Sequence, residues 1–310
     1  MGDRLNPQHF TGDANPFRLD DDLSYQRWRN WKLAHGPAHA DDVCVDINDP
    51  RCLDDRERAA LLSCIARHSV AVYRSAVTEE DKSIPRRLGA QLGLQRLDAN
   101  WLADEDGISS IAVSDRSDGR GGFIPYTNRA IGWHTDGYYH PEGRQIHGMI
   151  LHAVRSARNG GDNLLLDHER VYIGLRDQAP ELIQALMQHD VMTIPARADE
   201  DGVARSAQSG PVFSVDAQDG SLHMRYTARS RSIEWKADAA TRTAVQALET
   251  ILREGRSGVW RVRLASGMGV VGHNVLHTRF AFEDDPAYPR LLYRARFLDR
   301  VAAAVPAPWL

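Results

Sequence analysis

The pattern of apolar and polar positions changes period several times along this chain, and each change marks an element. Between Asp54 and His68 apolar residues recur at helical spacing (Leu61, Leu62, Ile65, Ala66) behind an acidic first turn, which predicts a helix. The run that follows, Ser69 to Tyr73 (SVAVY), is short and β-branched and reads as a strand. Thr78-Glu79-Glu80-Asp81 is a helix-start signature, and the helical stretch behind it, broken at Pro85, runs towards Leu92 and Gly93. Short apolar runs at Ile108 to Val113, Ile146 to Val154 and Asn163 to Leu166, bounded by Gly, Asp or Asn, predict strands. Residues 167–190 turn helical, and Ala239 to Glu254 places Val245, Leu248, Ile251 and Leu252 on one helical face. Strands return at Val259 to Leu264, Gly269 to Gly272 and Leu291 to Leu298. Strands separated by loops, with a few covering helices, predict a mainly β (α+β) fold on an antiparallel jelly-roll core. A doubly wound parallel sheet would show strict strand–helix alternation.

Residues 1–40 are polar, with aromatic residues clustered in YQRWRNWKL and at Phe17. They read as an extension packing on a single domain formed by residues 41–310. Over 310 residues the composition is 42% hydrophobic and 26% charged, enough apolar surface for a sizeable core. A formal net charge of −4 excludes the global positive field that draws proteins to nucleic acid or anionic membranes. No uncharged apolar run approaches the roughly 18 residues of a membrane span, and the N-terminus has no apolar export segment. Cys44, Cys52 and Cys64 are odd in number and show no C-x-x-C spacing, so they read as reduced thiols of a cytoplasmic protein. The partner expected is a small-molecule substrate, with homo-oligomerisation left open.

The chemistry concentrates in GWHTDGYY. His134 and Asp136 are two residues apart, and in an extended segment that spacing sends both side chains to one face. Imidazole plus carboxylate suits Fe(II), Mn(II) or Zn(II), and a second imidazole would complete a facial triad with open coordination positions. The candidate is His277 in GHNVLHTRFAF, followed by Arg290 in the strand-like run RLLYRARF. A facial triad leaves room for a chelating 2-oxo acid and for O2. The far carboxylate of 2-oxoglutarate then needs a buried cation, for which an arginine such as Arg290 offers a bidentate fork.

HTDGYYHPEG, NGGDN, VLHTRFAF and RLLYRARF, in that order, resemble the corresponding segments of the taurine dioxygenase-like family of Fe(II)/2-oxoglutarate oxygenases. The resemblance covers roughly Ser69 to Asp299 and implies a double-stranded β-helix, an Fe(II) site, and 2-oxoglutarate and O2 as cosubstrates. It implies that His134 and Asp136 are the proximal iron ligands, His277 the distal ligand, and Arg290 the partner of the cosubstrate's far carboxylate. Arg294 matches a second active-site arginine, and Tyr139, next to Tyr138, lies where an aromatic lines the substrate pocket.

Two departures stand out. Asn163 replaces the threonine that usually donates to the cosubstrate, an amide in place of a hydroxyl, and Val271, Gly272 and His273 stand where the family has D-N-R. Asp136 also argues against halogenation, because halogenating relatives replace this carboxylate with a small residue. The reaction expected is hydroxylation, oxidative cleavage or desaturation of a small, anionic or amino-acid-like substrate, with release of succinate and CO2. Two alternatives stay open: a non-catalytic ligand-binding or sensor protein on the same fold, and a hydrolase with another metal, which leaves Arg290 without a role. His147 and His152 read as structural, His273 as the weaker candidate for the third ligand, and Arg225, Arg229, Arg231 and Trp235 as a solvated, charge-rich stretch.

Overall fold

A computed structural model describes residues 14–37, 39–98, 104, 106–114, 120–199, 202–229, 233–255 and 258–302; residues 1–13 of the expected extension and Arg231 lie outside them. Among the described residues are six α-helices and two principal sheets. The larger sheet runs in the order Cys44–Asp46, Val70–Arg74, Met268–His273, Gly148–Arg155, Leu291–Phe297 and Ser109–Ile111. Its first pair is parallel and the rest antiparallel. The smaller, antiparallel sheet runs Val259–Val262, Asn163–Leu166, Leu276–Arg279 and Ile131–His134. Val72, Ile150 and Val270 of the larger sheet share one apolar cluster with Leu165, Trp260 and Val262 of the smaller, so the main core takes side chains from both. A second cluster gathers the helices His168–Gln178, Pro180–Leu186 and Ala239–Glu254 with Tyr25 and Trp28 of the N-terminal helix Asp22–Ala34.

Local chemistry explains most element boundaries. Asp54 caps the helix Asp55–His68 in a reciprocal capping box with Glu57, and Ser69 leaves that helix at φ 63° before the strand begins. Pro85 starts the helix Ile84–Gln91 rather than breaking it, because a first-turn position has no N–H bond to lose. The helical stretch expected over 167–190 is two helices. Pro180 pushes Ala179 into extended backbone (φ −167°, ψ 124°), which ends one helix and opens the next. The N-terminal helix is tied down electrostatically: Lys32 is buried, 2.7 Å from the buried Asp167, and also pairs with Glu169. No helix among the described residues is long and apolar enough to cross a membrane.

Several histidines outside the triad sit in the packing. His152 is fully buried, its Nδ1 2.8 Å from the Tyr73 hydroxyl, and His147 faces His223 with ring centroids 4.9 Å apart. Burial holds His68, His147 and His152 down to about 4. In the unfolded chain these rings take up protons near 6.5, whereas in the fold they stay neutral until far lower. The stability they add is therefore complete above pH 6.5 and lost as pH falls from 6.5 towards 4. Each contributes a slope of about 1.4 kcal/mol per pH unit inside that window. Urea unfolding at pH 7.5, 6 and 5 should show the midpoint dropping steeply, and a flat profile would contradict neutral buried rings.

Candidate metal centre

The smaller sheet brings together two imidazoles that are far apart in the chain. In the pairing of Leu276–Arg279 with Ile131–His134, His277 lies directly opposite His134, and their ring centroids are 4.2 Å apart. Asp136 follows two residues on in the turn. His134, Asp136 and His277 each offer a ligand atom, all within 4.8 Å of one another. The Nδ1 atoms of His134 and His277 each lie 2.9 Å from a backbone carbonyl, those of Gly132 and Val275. A carbonyl can only accept, so Nδ1 carries the proton and Nε2 presents its lone pair. Asp136 is 6% exposed and its Oδ2 has no hydrogen-bond partner, an orphaned acceptor that a cation would satisfy.

The electrostatics keep these groups in their ligating forms. Burial, reinforced by the neighbouring His277, lowers His134 to about 3. Burial works to raise the Asp136 carboxyl, but Arg294 and Arg296 outweigh it and hold the group below the usual carboxylate range. Arg294 Nη1 lies 3.3 Å from Asp136 Oδ1, leaving Oδ2 for a metal. Two imidazoles that present Nε2 and an ionised carboxylate form the donor set expected for Fe(II).

Residues that the sequence reading passed over position this constellation. Asn274 bridges the two halves: its Oδ1 accepts from the Asp136 backbone N–H at 2.8 Å, and its Nδ2 donates to the carbonyls of Asp136 and Ile146 at 2.7 and 2.8 Å. On the other side, Thr135 and Tyr226 exchange hydrogen bonds, and Ala228 donates to the Trp133 carbonyl. Arg296, two residues beyond Arg294 on a strand and so on the same face, donates to Asp98 Oδ2 at 2.6 Å and to the Tyr139 hydroxyl at 2.9 Å. The period-2 arginines of RLLYRARF were a legible signal for Arg296; nothing local marked Asp98. Replacing Asn274 with Ala unties the Asp136 turn and should weaken Fe(II) or Mn(II) affinity by about 10–100-fold, measured by metal titration.

Arg290 stands in a corner beside Gly161 and the ring of Phe282, whose centroid is 4.9 Å from the guanidinium carbon. It is 5% exposed, and among the described residues its guanidinium has no hydrogen bond or carboxylate partner. Burial, opposed by the charge of Asp284, lowers it to about 10, so it remains a cation. Gly160 and Gly161 both adopt positive φ (70° and 75°), and a Cβ on Gly160 would strike the Ala281 carbonyl. Asn163 is buried nearby in sequence, with only a long 3.5 Å contact from its Nδ2 to the Gly161 carbonyl. Tyr138 and Tyr139 are half-buried and meet edge to face at 5.3 Å.

Other expectations resolve differently. His273 stays away from the triad, beside Arg300 and His168, so the third candidate is His277. Arg225 is not solvated: it is buried and donates to the carbonyls of Tyr138, Met192, Gly210 and Gln208. Four backbone acceptors bound that guanidinium to the fold, whereas Arg229 is exposed. The three cysteines are free thiols.

This is an Fe(II)- and 2-oxoglutarate-dependent dioxygenase, an oxidoreductase. The chain belongs to the taurine catabolism dioxygenase TauD, TfdA family, whose model matches residues 28–296. A uridine-5′-phosphate dioxygenase from an Amycolatopsis species is 32% identical over 278 residues, covering 84% of this chain and 98% of the relative. One from a Streptomyces species is 34% identical over 203 residues, covering 62% and 69%. Among solved structures, the non-haem iron oxygenase OrfP with Fe, succinate and (3S)-hydroxy-L-Arg superposes with a TM-score of 0.58 at 17% identity, covering 96% of this chain and 95% of that one. Asparagine oxygenase with Fe(II), 3-hydroxyasparagine and succinate gives 0.56 at 14% identity, covering 95% and 87%. These structures share the fold.

Proposed function

We propose that His134, Asp136 and His277 hold the iron and that Arg290, assisted by the Asn163 amide, takes the far carboxylate of 2-oxoglutarate. The two sheets would then form the jelly-roll core of one oxygenase domain over residues 41–310, with residues 1–40 as its extension. The reading rests on one pairing: an orphaned Asp136 Oδ2 between two imidazoles with presented lone pairs, and a buried Arg290 with no carboxylate partner. A buried cation is costly unless an anion meets it, and a dicarboxylate cosubstrate supplies that anion. A metal hydrolase has no use for it, and a silent binder would be free to lose a ligand of the triad that is intact here.

Iron held by these residues, with 2-oxoglutarate and O2, would supply the oxidising chemistry, with succinate and CO2 as coproducts of hydroxylating a substrate C–H bond. The chain's own part is to orient and to exclude water. Asn274 keeps Asp136 turned towards the two imidazoles, Arg294 occupies one Asp136 oxygen so that the other is free, and the Asp98–Arg296 pair fixes Tyr139 beside them.

The substrate proposed is a small anion, specifically a nucleoside 5′-monophosphate, with uridine 5′-phosphate first in line. Two observations support it: the activity named for the relatives, over 84% of this chain for one of them, and an arginine close to Tyr139, Arg205, whose buried Nη1 has no partner. Succinate formation from 2-oxoglutarate with Fe(II) and O2 tests the reading. It should rise several-fold with uridine 5′-phosphate and not with asparagine, arginine or taurine. Stimulation by an amino acid instead would overturn the substrate class, and no Fe(II)-dependent turnover with any of them would overturn the reading.

A further inference from the structure

The hairpin Arg197–Asp199 and Gly202–Arg205 has no role in the account above. Its strands pair with Arg205 directly opposite Arg197, and the register slips between Val203 and Arg205. Like charges placed opposite each other on a hairpin destabilise it, and a bulge re-aims a side chain.

The two arginines reach the two segments that flank the metal centre. The Arg197 guanidinium lies 4.5 Å from the ring centroid of Phe123, which leads into the 124–129 stretch held by Arg279, two residues beyond His277. The Arg205 guanidinium lies 5.7 Å from the ring centroid of Tyr139, three residues beyond Asp136. Arg205 Nη2 donates to the Pro195 carbonyl at 2.6 Å, but Nη1 is buried with no partner. No carboxylate among the described residues pairs with Arg205, and burial pulls it below the ordinary arginine value against the opposing influence of Tyr138 and Tyr139. The Tyr139 hydroxyl oxygen accepts from Arg296, which leaves its own proton to be donated. Among the described residues, the Arg205 Nη1 and the Tyr139 hydroxyl proton therefore have no acceptor, on two side chains that lie against each other.

We propose that Arg205 is the substrate's phosphate anchor, with Tyr139 as a second donor. The assignment deepens the nucleoside-monophosphate reading and rests on it. A phosphate monoester carries close to two negative charges and three acceptor oxygens at neutral pH, which suits a guanidinium N–H beside a phenol O–H better than a single carboxylate would. Arg290 and Arg294 have other work, on the cosubstrate and on Asp136, so the anchor must come from elsewhere. The hairpin supplies it, with the Arg205 guanidinium against the Tyr139 ring and its Nη1 buried.

Calorimetric binding of uridine 5′-phosphate and of uridine, to wild type, Arg205→Gln and Tyr139→Phe carrying Mn(II) and 2-oxoglutarate without O2, tests this directly. Wild type should bind the nucleotide far more tightly than the nucleoside. Arg205→Gln should lose about 30–100-fold in nucleotide affinity, the scale of a charge-assisted hydrogen bond, while uridine affinity and the 2-oxoglutarate affinity stay within twofold. Tyr139→Phe, which removes only a hydroxyl, should lose about 5–10-fold with the same selectivity for the phosphate. Nucleotide affinity unchanged in Arg205→Gln would overturn the anchor and leave the nucleotide reading standing. Loss of nucleotide, nucleoside and 2-oxoglutarate binding together would mark Arg205 as a structural prop of the hairpin and overturn it equally. Wild type that binds uridine 5′-phosphate no better than uridine would remove both readings.

Discussion

His277→Ala abolishes Fe(II)- and 2-oxoglutarate-dependent succinate formation, with turnover falling by about 10³-fold or more. The protein also fails to bind one equivalent of Fe(II) or Mn(II) at concentrations that saturate wild type. The size follows from geometry. Partners of ligating residues are each worth about 10–100-fold, and a ligand itself is worth more. His134→Ala should behave alike, because the register pairing of the two histidines makes them equivalent donors. His273→Gln is the control: it carries the competing candidate but stands apart from the triad, so metal stoichiometry should be kept. Metal-dependent turnover surviving in His277→Ala but not in His273→Gln would reverse the assignment.

Arg290→Ala raises the KM for 2-oxoglutarate by about 10²-fold or more, with metal stoichiometry intact. Truncating one partner of a buried, hydrogen-bonded charge pair costs about 2–5 kcal/mol, which spans that range. In the free protein the guanidinium is already desolvated, against Phe282 and beside Gly161, so its cost is met in the fold and recovered when the dicarboxylate binds. Arg290→Lys should recover only part of the affinity, since an ammonium cannot reproduce the planar fork. Steady-state kinetics over a wide 2-oxoglutarate range measures both. An unchanged KM in Arg290→Ala would mean that the far carboxylate is held elsewhere, with Arg279 or Arg294 the next cations to test.

Much of the site was legible in sequence because its signals are local. The two-residue spacing of His134 and Asp136 needs only an extended backbone to bring both side chains to one side. The Arg294 and Arg296 pair follows the same period. Their partners are long-range. Asn274 reads in sequence as one polar residue ahead of an apolar run, and only the fold shows its amide tying the Asp136 turn to the His277 strand. Arg225 read as solvated because a charge-rich stretch usually is. Four carbonyls of neighbouring strands, invisible to composition, made it a structural cross-link instead.

The same division runs through the fold. By itself the sequence determined the elements whose boundaries are set by neighbouring residues: the capped helix after Asp54, the amphipathic helix Ala239–Glu254, and the strand Asn163–Leu166. Caps, prolines and periodicity act over one or two turns, and so they are readable from a few letters. Tertiary structure alone decided which strands pair, and therefore that His277 faces His134, that Asp98 meets Arg296, and that the hairpin carrying Arg205 rests against Tyr139. Strand pairing is selected by burying apolar faces drawn from the whole chain, a collective property that no single segment encodes.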